Sequence, residues 1–560
     1  MDCFTKEKNN RIAKLLLVAL ATFTMSACAI SPETITDDER SQRIKKDMLN
    51  LYKNQEPINH PISLSEAIAR ALKYNLDQRV KLMERAVATG SLEVSRFDLL
   101  PKLVLNAGYT DRNNDAGAVS QSLISGTQSL EASTSQERRR KTFSSNLAWN
   151  VLDFGVSYAN AKQISDQVNI SSEMRRKIIQ NIVSDVHTLW WRVVVADQMT
   201  DEIDAILKDA REAIGRSREL ESKKIEKPMD ALQRQRSLLE LMDRMTELRK
   251  EMSLSRLELA NIMNLKPATK YRVSVTDDQA IPELEFDIDK LEHIALSSRP
   301  EIREEDYRKR ISTLEVRKAL LRMFPGLEIS TGRNYDSNKF SFNNTWSTVG
   351  VQVSWNVFNL FSGSAAQKQA ETQVELADVR RLALSAAILT QVHLTWQRYL
   401  ESKDDYWLAS ELSSVENRIN DNIVAAKQAN RVGMSEVIMS RASAVAGRLR
   451  RGLAYADLRG SVSRIHNVLG TDPLPDEVNG RDVSTLAKAI EVHLDNRTES
   501  LLNKTNKTQT LKSNDKEILK LPPSNDKGIK IDEVVLNNII DKNQVNLSYK
   551  TQAIVFDGSR

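Results

Sequence analysis

The chain has 560 residues, 28% of them charged, with only 18 glycines, 13 prolines and 5% aromatics. Such scarcity of turn-formers argues against an all-β protein and suits long helices, and a net charge of +5 at this length gives no electrostatic footprint for nucleic acid. The only cysteines are Cys3 and Cys28, which excludes a disulfide framework and a cysteine-built metal site in a chain processed before Cys28.

Residues 1–27 read as a signal peptide. Lys6, Lys8, Arg11 and Lys14 form a basic start, and Leu15 to Thr24 is an apolar run too short to span a bilayer. Met25-Ser26-Ala27-Cys28 has the form of a lipoprotein cleavage site, so Cys28 is the expected lipid attachment point. A polar lead-in follows over 28–61. From Ile62 to about Asp98 the pattern is helical, with Ser63 and Ser65 placed to cap it, and Pro101 stops it. Leu103, Leu105, Ala107 and Tyr109 then alternate with polar residues, which predicts a strand over about 102–111. Residues 112–141 read as a loop ending in Arg138-Arg139-Arg140-Lys141, and a second strand is expected over about 142–152.

No proline interrupts the stretch from Gly155 to about Ser222, where apolar residues recur at three- and four-residue steps, a coiled-coil-like seam. The chain should reverse at Lys227-Pro228-Met229 and return as a helix to about Asn264. Residues 267–298 form a linker with a short helix. Strands are then expected over about 327–335 and 346–358, a long helix after Gly363, a turn at Arg431-Val432-Gly433, and a return helix ending at Gly470. From about Asp476 to 560 the polar composition reads as a mostly disordered tail with room for short helical or strand pieces.

The second half therefore repeats the first. Ala148-Trp149-Asn150-Val151 returns as Ser354-Trp355-Asn356-Val357, and Val186-His187 with Trp190 returns as Val392-His393 with Trp396, both displaced by about 206 residues. The repeats span 62–266 and 299–470. Their strands, about ten residues long with one apolar and one polar face, have the character of membrane β-barrel strands. Four strands cannot close a barrel, and an open edge in hydrocarbon leaves backbone groups unsatisfied, so several copies must share one; three give twelve strands. The fold class expected is mostly α with a membrane β-barrel: a trimeric twelve-stranded barrel on a long periplasmic coiled-coil tunnel.

At this point the chain resembles the TolC-like outer-membrane factor family. The resemblance rests on SLSEAIARALKYN, the LLP before the first strand, the paired AWNVLDFG and SWNVFNLFSG, the SRPEI that opens the second repeat, and the VG turn followed by SEVIMSRASA. It implies an exit duct in the bacterial outer membrane, for drug efflux or type I secretion. Such a duct has no catalytic chemistry or cofactor and is energised by an inner-membrane pump of RND, MFS or ABC type through a periplasmic adaptor. Pro228, Met229, Gly433 and Met434 would be the adaptor-contact tips. Aspartates that the family places six and nine residues after the second-tip glycine are here Met439 and Ala442, which leaves Glu436 as the nearest acidic candidate for the entrance. Gly433 is expected to hold a conformation that a side chain would disfavour. The Arg138–Lys141 run, if it sits at the outer rim, could pair with lipopolysaccharide phosphates. His187 and His393 lack a second ligand at helical spacing and read as packing positions rather than metal ligands. The competing reading is a trimeric structural lipoprotein, a periplasmic spacer without an open lumen.

Overall fold

The computed structural model describes residues 32–129, 131–225, 227–274, 284, 287–474 and 482–494. Its elements are α1 (Asp37–Asn50), α2 (Leu64–Tyr74), α3 (Leu76–Phe97), β1 (Lys102–Asp111), β2 (Gly117–Ala118), β3 (Ser133–Thr134), β4 (Arg139–Asn150), α4 (Val151–Ser222) and α5 (Pro228–Ile262) in the first half. There follow α6 (Ile288–Ser298), α7 (Pro300–Leu321), β5 (Gly326–Asp336), β6 (Thr345–Ser354), α8 (Phe358–Gln428) and α9 (Met434–Val468). A last helix, α10, covers 483–494.

The duplication extends to backbone detail. α4 and α8 have 72 and 71 residues, so each is about 105 Å long at 1.5 Å per residue, and α5 and α9 have 35 each. At the far end of the long helices, Lys224 and Asn430 occupy matching positions and both take φ 53°, the left-handed conformation that ends a helix. Ile225 N–H reaches back to Leu220 O at 3.0 Å, and Arg431 N–H to Ala426 O at 2.9 Å, the same capping bond in each repeat. The return helices end alike, at Asn264 (φ 55°) and Gly470 (φ 68°).

The sheet is antiparallel in the order β1-β4-β5-β6, so each repeat contributes one hairpin and the two meet at β4–β5. Asn150 ends β4: its Oδ1 accepts the N–H groups of Leu152 and Asp153 at 3.0 and 3.1 Å and opens α4, so Val151 and Leu152 are helical, not strand as expected. The second-repeat strand is likewise shorter than expected. It stops at Ser354, where Trp355 donates its indole N–H to Met323 O at 3.1 Å and Asn356 Oδ1 accepts Phe358 N–H at 3.2 Å. The segment between β1 and β4 is not wholly irregular, since β2 and β3 pair there as a short ribbon.

Toward the sheet, α4 packs between α3 and α7, and α7 lies against α8; further away α4 packs between α5 and α9, and α9 lies against α8. The continuous helix expected from Ile62 is broken at Asn75, whose extended ψ of 128° and side-chain bonds to Asp77 and Gln78 N–H begin a second helix. That break turns α2 onto α4, where it joins a girdle at mid-height. Ile62, Ile68, Val186, Trp190, Leu259 and Met263 are fully or almost fully buried there. Trp190 donates its indole N–H to Ile62 O at 3.1 Å. Arg70, 2% exposed, is satisfied by Glu66 at 2.8 Å and by the carbonyls of Glu56 and Pro57.

Two helices lie where the sequence placed no defined element. In the lead-in, Thr36 and Glu39 form a reciprocal capping box that starts α1. Within the segment read as tail, Val483, Ala487 and Ile490 fall at helical spacing and are buried in the girdle, so 483–494 is part of the folded body. Glu56 accepts Val483 N–H at 3.2 Å, placing a carboxylate at that helix's N-terminus. Residues 495–560 lie outside the described residues.

Candidate functional site

The sheet is amphipathic across all four strands. Cross-strand partners share a face, so the register puts Leu103 beside Leu147 and Thr331, and Trp149 beside Ile329 and Val351. The apolar face continues through Val349 and Val353, with polar residues at Thr331, Lys141 and Thr345 and a polar row where Ser145, Arg333 and Ser347 align. It faces outward uncovered: Leu103 and Leu105 are each 61% exposed, and Val349 is 81% exposed. The opposite face carries Asn106, Ser144, Asn146, Ser330, Thr348 and Gln352, with Asn106 bonded to Ser144 at 3.3 Å. Neither β1 nor β6 has a partner on its outer edge among the described residues. No described helix is long and apolar enough to cross a membrane.

At the loop end of the sheet the basic run is tied down. Arg138 donates to the carbonyls of Arg112 and Asn113 at 3.3 and 3.2 Å, and Arg139 pairs with Asp111 at 3.3 Å. Arg140 bonds to Asp336 on the other repeat. Of the three arginines Arg139 is the most exposed, at 77% of its side chain.

At the opposite end lie the helical turns. Pro228 is the first residue of α5, where its missing N–H is no loss, and Met229 is 65% exposed. Met434 opens α9 and is 46% exposed. The expectation for Gly433 fails: its φ of −80° and ψ of 162° are open to any residue, and a Cβ there would meet nothing within 4 Å. The turn's left-handed residue is Asn430. Gly470 is the glycine that is sterically required, since its φ is 68° and a Cβ would lie 2.8 Å from the backbone of Arg299. Glu436 is exposed in the first turn of α9, where a negative charge complements the helix N-terminus. Met439 is 41% exposed, whereas Ala442 is fully buried in the α4–α5–α9 core and cannot face an opening. Cys28 lies outside the described residues.

His393 bonds to Glu292 at 2.6 Å on the surface. No group of three or more His, Cys, Asp or Glu among the described residues could hold a metal ion. Trp190, Trp191 and Tyr455 meet edge to face, with centroids about 5 Å apart, so the repeated tryptophan of the first half serves packing.

Residues 67–265 match the family model described as outer membrane efflux protein. No curated protein matches the chain. Among solved structures, the outer-membrane channel OprN is 15% identical with a TM-score of 0.56, covering 79% of this chain and 99% of its own. The CmeC outer membrane channel of Campylobacter jejuni is 14% identical with a TM-score of 0.59, covering 78% and 93%. The MtrE outer membrane channel of Neisseria gonorrhoeae, in its open state, is 15% identical with a TM-score of 0.53, covering 71% and 88%. At these identities the structural likeness speaks for the fold, and it agrees with the sequence match over the first repeat. Residues 67–265 are thus similar to the outer membrane efflux protein family, and the duplicated, mostly helical fold carrying one small sheet is that of the outer-membrane channels just named.

Proposed function

We propose that the protein is the outer-membrane exit duct of a tripartite export system, a passive conduit formed by three copies and energised by an inner-membrane pump. The observation that carries this reading is the sheet with an exposed apolar face and two unpaired edges, set on a helical layer whose edge helices are also unpartnered. On α3, Leu76, Val80, Met83, Val87, Val94 and Phe97 follow alternating four- and three-residue steps, with Gly90 completing the series, and all six are exposed. On α8, at the other edge, Leu376, Val379 and Leu382 are exposed. In hydrocarbon the free strand edges would each leave backbone groups unsatisfied, so copies must join β6 to β1 and α8 to α3. Three copies then close twelve strands with the apolar face toward lipid, and the helices extend as a tunnel into the periplasm.

In this assembly Pro228, Met229, Gly433 and Met434 form the tips that meet the adaptor, and the exposed methionines supply an adaptable apolar contact. Glu436 lies at the entrance. Cys28 carries the lipid anchor, and Arg139 at the outer rim faces lipopolysaccharide phosphate. Mass measurement of the full chain in detergent tests the proposal. Three protomers are expected, and a stable monomer with intact strand content would overturn it.

A further inference from the structure

One groove of the helical layer is lined by five arginines against three carboxylates, and most of those arginines have no ion-pair partner among the described residues. It has a volume of about 690 Å³ and is bounded by α4, α5, α8 and α9. Arg192 pairs with Asp457 at 2.8 Å. Arg244, Arg398 and Arg450 are exposed in it and make no ion pair among the described residues, although Glu401 and Asp405 line the same groove. Arg464 stands near enough to Asp185 to offset part of the desolvation that raises that carboxyl.

The arrangement is duplicated. Arg192 and Arg398 occupy the same position in the two repeats, as do Arg244 and Arg450, so both halves bring the same two charges to one groove. Its orientation follows from helix geometry at about 100° per residue. Trp190 on α4 and Tyr455 on α9 are buried in the girdle cluster. Arg192 lies about 200° round α4 from Trp190, and Arg450 and Arg464 lie about 220° and 180° round α9 from Tyr455. The arginines therefore face away from the girdle. In the conduit proposed above, on which this step rests, a girdle leaves the bore open only if it sits outside, which puts the groove on the inner wall.

We infer that this groove is an anion-binding stretch of the conduit wall, taking solutes that carry carboxylate or phosphate groups. Guanidinium forks are suited to both, binding them in bidentate fashion, and unpaired arginines need not break an existing ion pair to do so. Three copies would set the Arg192/Arg398 and Arg244/Arg450 positions as two six-membered rings around the water path, adding positive potential there.

The test uses the full-length protein in planar bilayers under a potassium chloride gradient. The native protein should give a zero-current potential of the sign for chloride preference, and Arg398→Gln/Arg450→Gln should lower the chloride-to-potassium permeability ratio several-fold. Arg249→Gln, on the girdle side, should leave the ratio unchanged. An identical ratio in native and doubly substituted protein overturns the inference while leaving the conduit standing. Absence of conductance from every protein overturns the conduit reading instead. Calorimetry with inorganic tripolyphosphate then decides the groove by itself: binding lost in the double variant upholds anion recognition, and equal or no binding in both ends it.

Discussion

Along the helices the two repeats meet where α4 packs on α7 toward the sheet and on α9 beyond it, and the closeness of the α4–α9 contact depends on glycine. A Cβ placed on Gly452 would lie 2.7 Å from Val195 Cγ1, 3.0 Å from Cγ2 and 3.4 Å from Cβ. Two turns on, a Cβ on Gly460 would lie 2.7 Å from Thr188 Oγ1, so the close approach continues along the seam. Carbon atoms settle at about 3.5–4.0 Å, so Gly452→Ala must push the helices apart or force Val195 from its rotamer, costing about 1–3 kcal/mol. Better helix propensity returns roughly 0.5–1 kcal/mol, leaving a net loss of about 1–2 kcal/mol. Val195 is 5% exposed, and Val195→Ala deletes two buried methyls for about 2 kcal/mol. Yet it also removes both clashing atoms, so in the double variant the new methyl fills the vacated space. The double variant should therefore be more stable than the sum of the single losses by about 1–2 kcal/mol. Urea titration of the four proteins in detergent, followed by helical ellipticity, reads the cycle. Gly452→Ala as stable as native, together with an additive double variant, would refute the close approach.

Cys28→Ser should abolish metabolic labelling with fatty acid while leaving the oligomer assembled, because insertion rests on the barrel; unchanged labelling would remove Cys28 as the anchor. Gly433→Ala should leave folding and export near native levels, whereas Gly470→Ala should cost about 2 kcal/mol or more, being both left-handed and tightly packed, and thermal melts of the two variants test the contrast. Glu301, although desolvated, is held at about 2 by the hydrogen bond and charge of Arg299. Its folded value is depressed, so the stability it contributes is complete above the unfolded carboxylate range near 4.5 and is lost as pH falls toward 2. Glu301→Gln should thus destabilise by about 2 kcal/mol at pH 7 and by progressively less in acid, a trend that unfolding curves at several pH values would show or exclude.

The framework was legible because the signals that set it are periodic and occur twice. The seam of α4, the alternation of Leu103 to Tyr109 and the recurring Trp-Asn are long patterns that tertiary context does not overturn. What escaped was decided by single side chains. Asn75 breaks a helix with neither proline nor glycine beside it, and Asn150 and Asn356 end strands whose apolar alternation continues past them. Helix α10 was hidden because three buried residues, Val483, Ala487 and Ile490, are diluted by polar neighbours in any window average. At Gly433 residue type suggested a backbone need that Asn430 meets instead. The arginine groove was hidden for a different reason: Arg192, Arg244, Arg398 and Arg450 are far apart in the chain, and only the packing of four helices brings them together.

The β4–β5 junction has a consequence for how copies recognise one another. It is where the end of one repeat's sheet meets the start of the next within a single chain, so in the assembly proposed above neighbouring copies would make the same kind of joint. Carrying its pairing forward by the displacements that take Trp149 to Trp355 and Pro325 back to Pro101 sets Val353 opposite Ala107 of the neighbouring copy, and Val351 opposite its Tyr109. Those four residues lie on the apolar face, so the register keeps lipid-facing side chains together across the joint. The proposed ring of six repeats would use this pairing six times. With two repeats in one chain, half of the joints in such a ring would be intramolecular, and Arg140–Asp336 is a tie across the internal kind. In the proposed assembly β1 and β6 would therefore read each other by the rule that β4 and β5 follow within the chain.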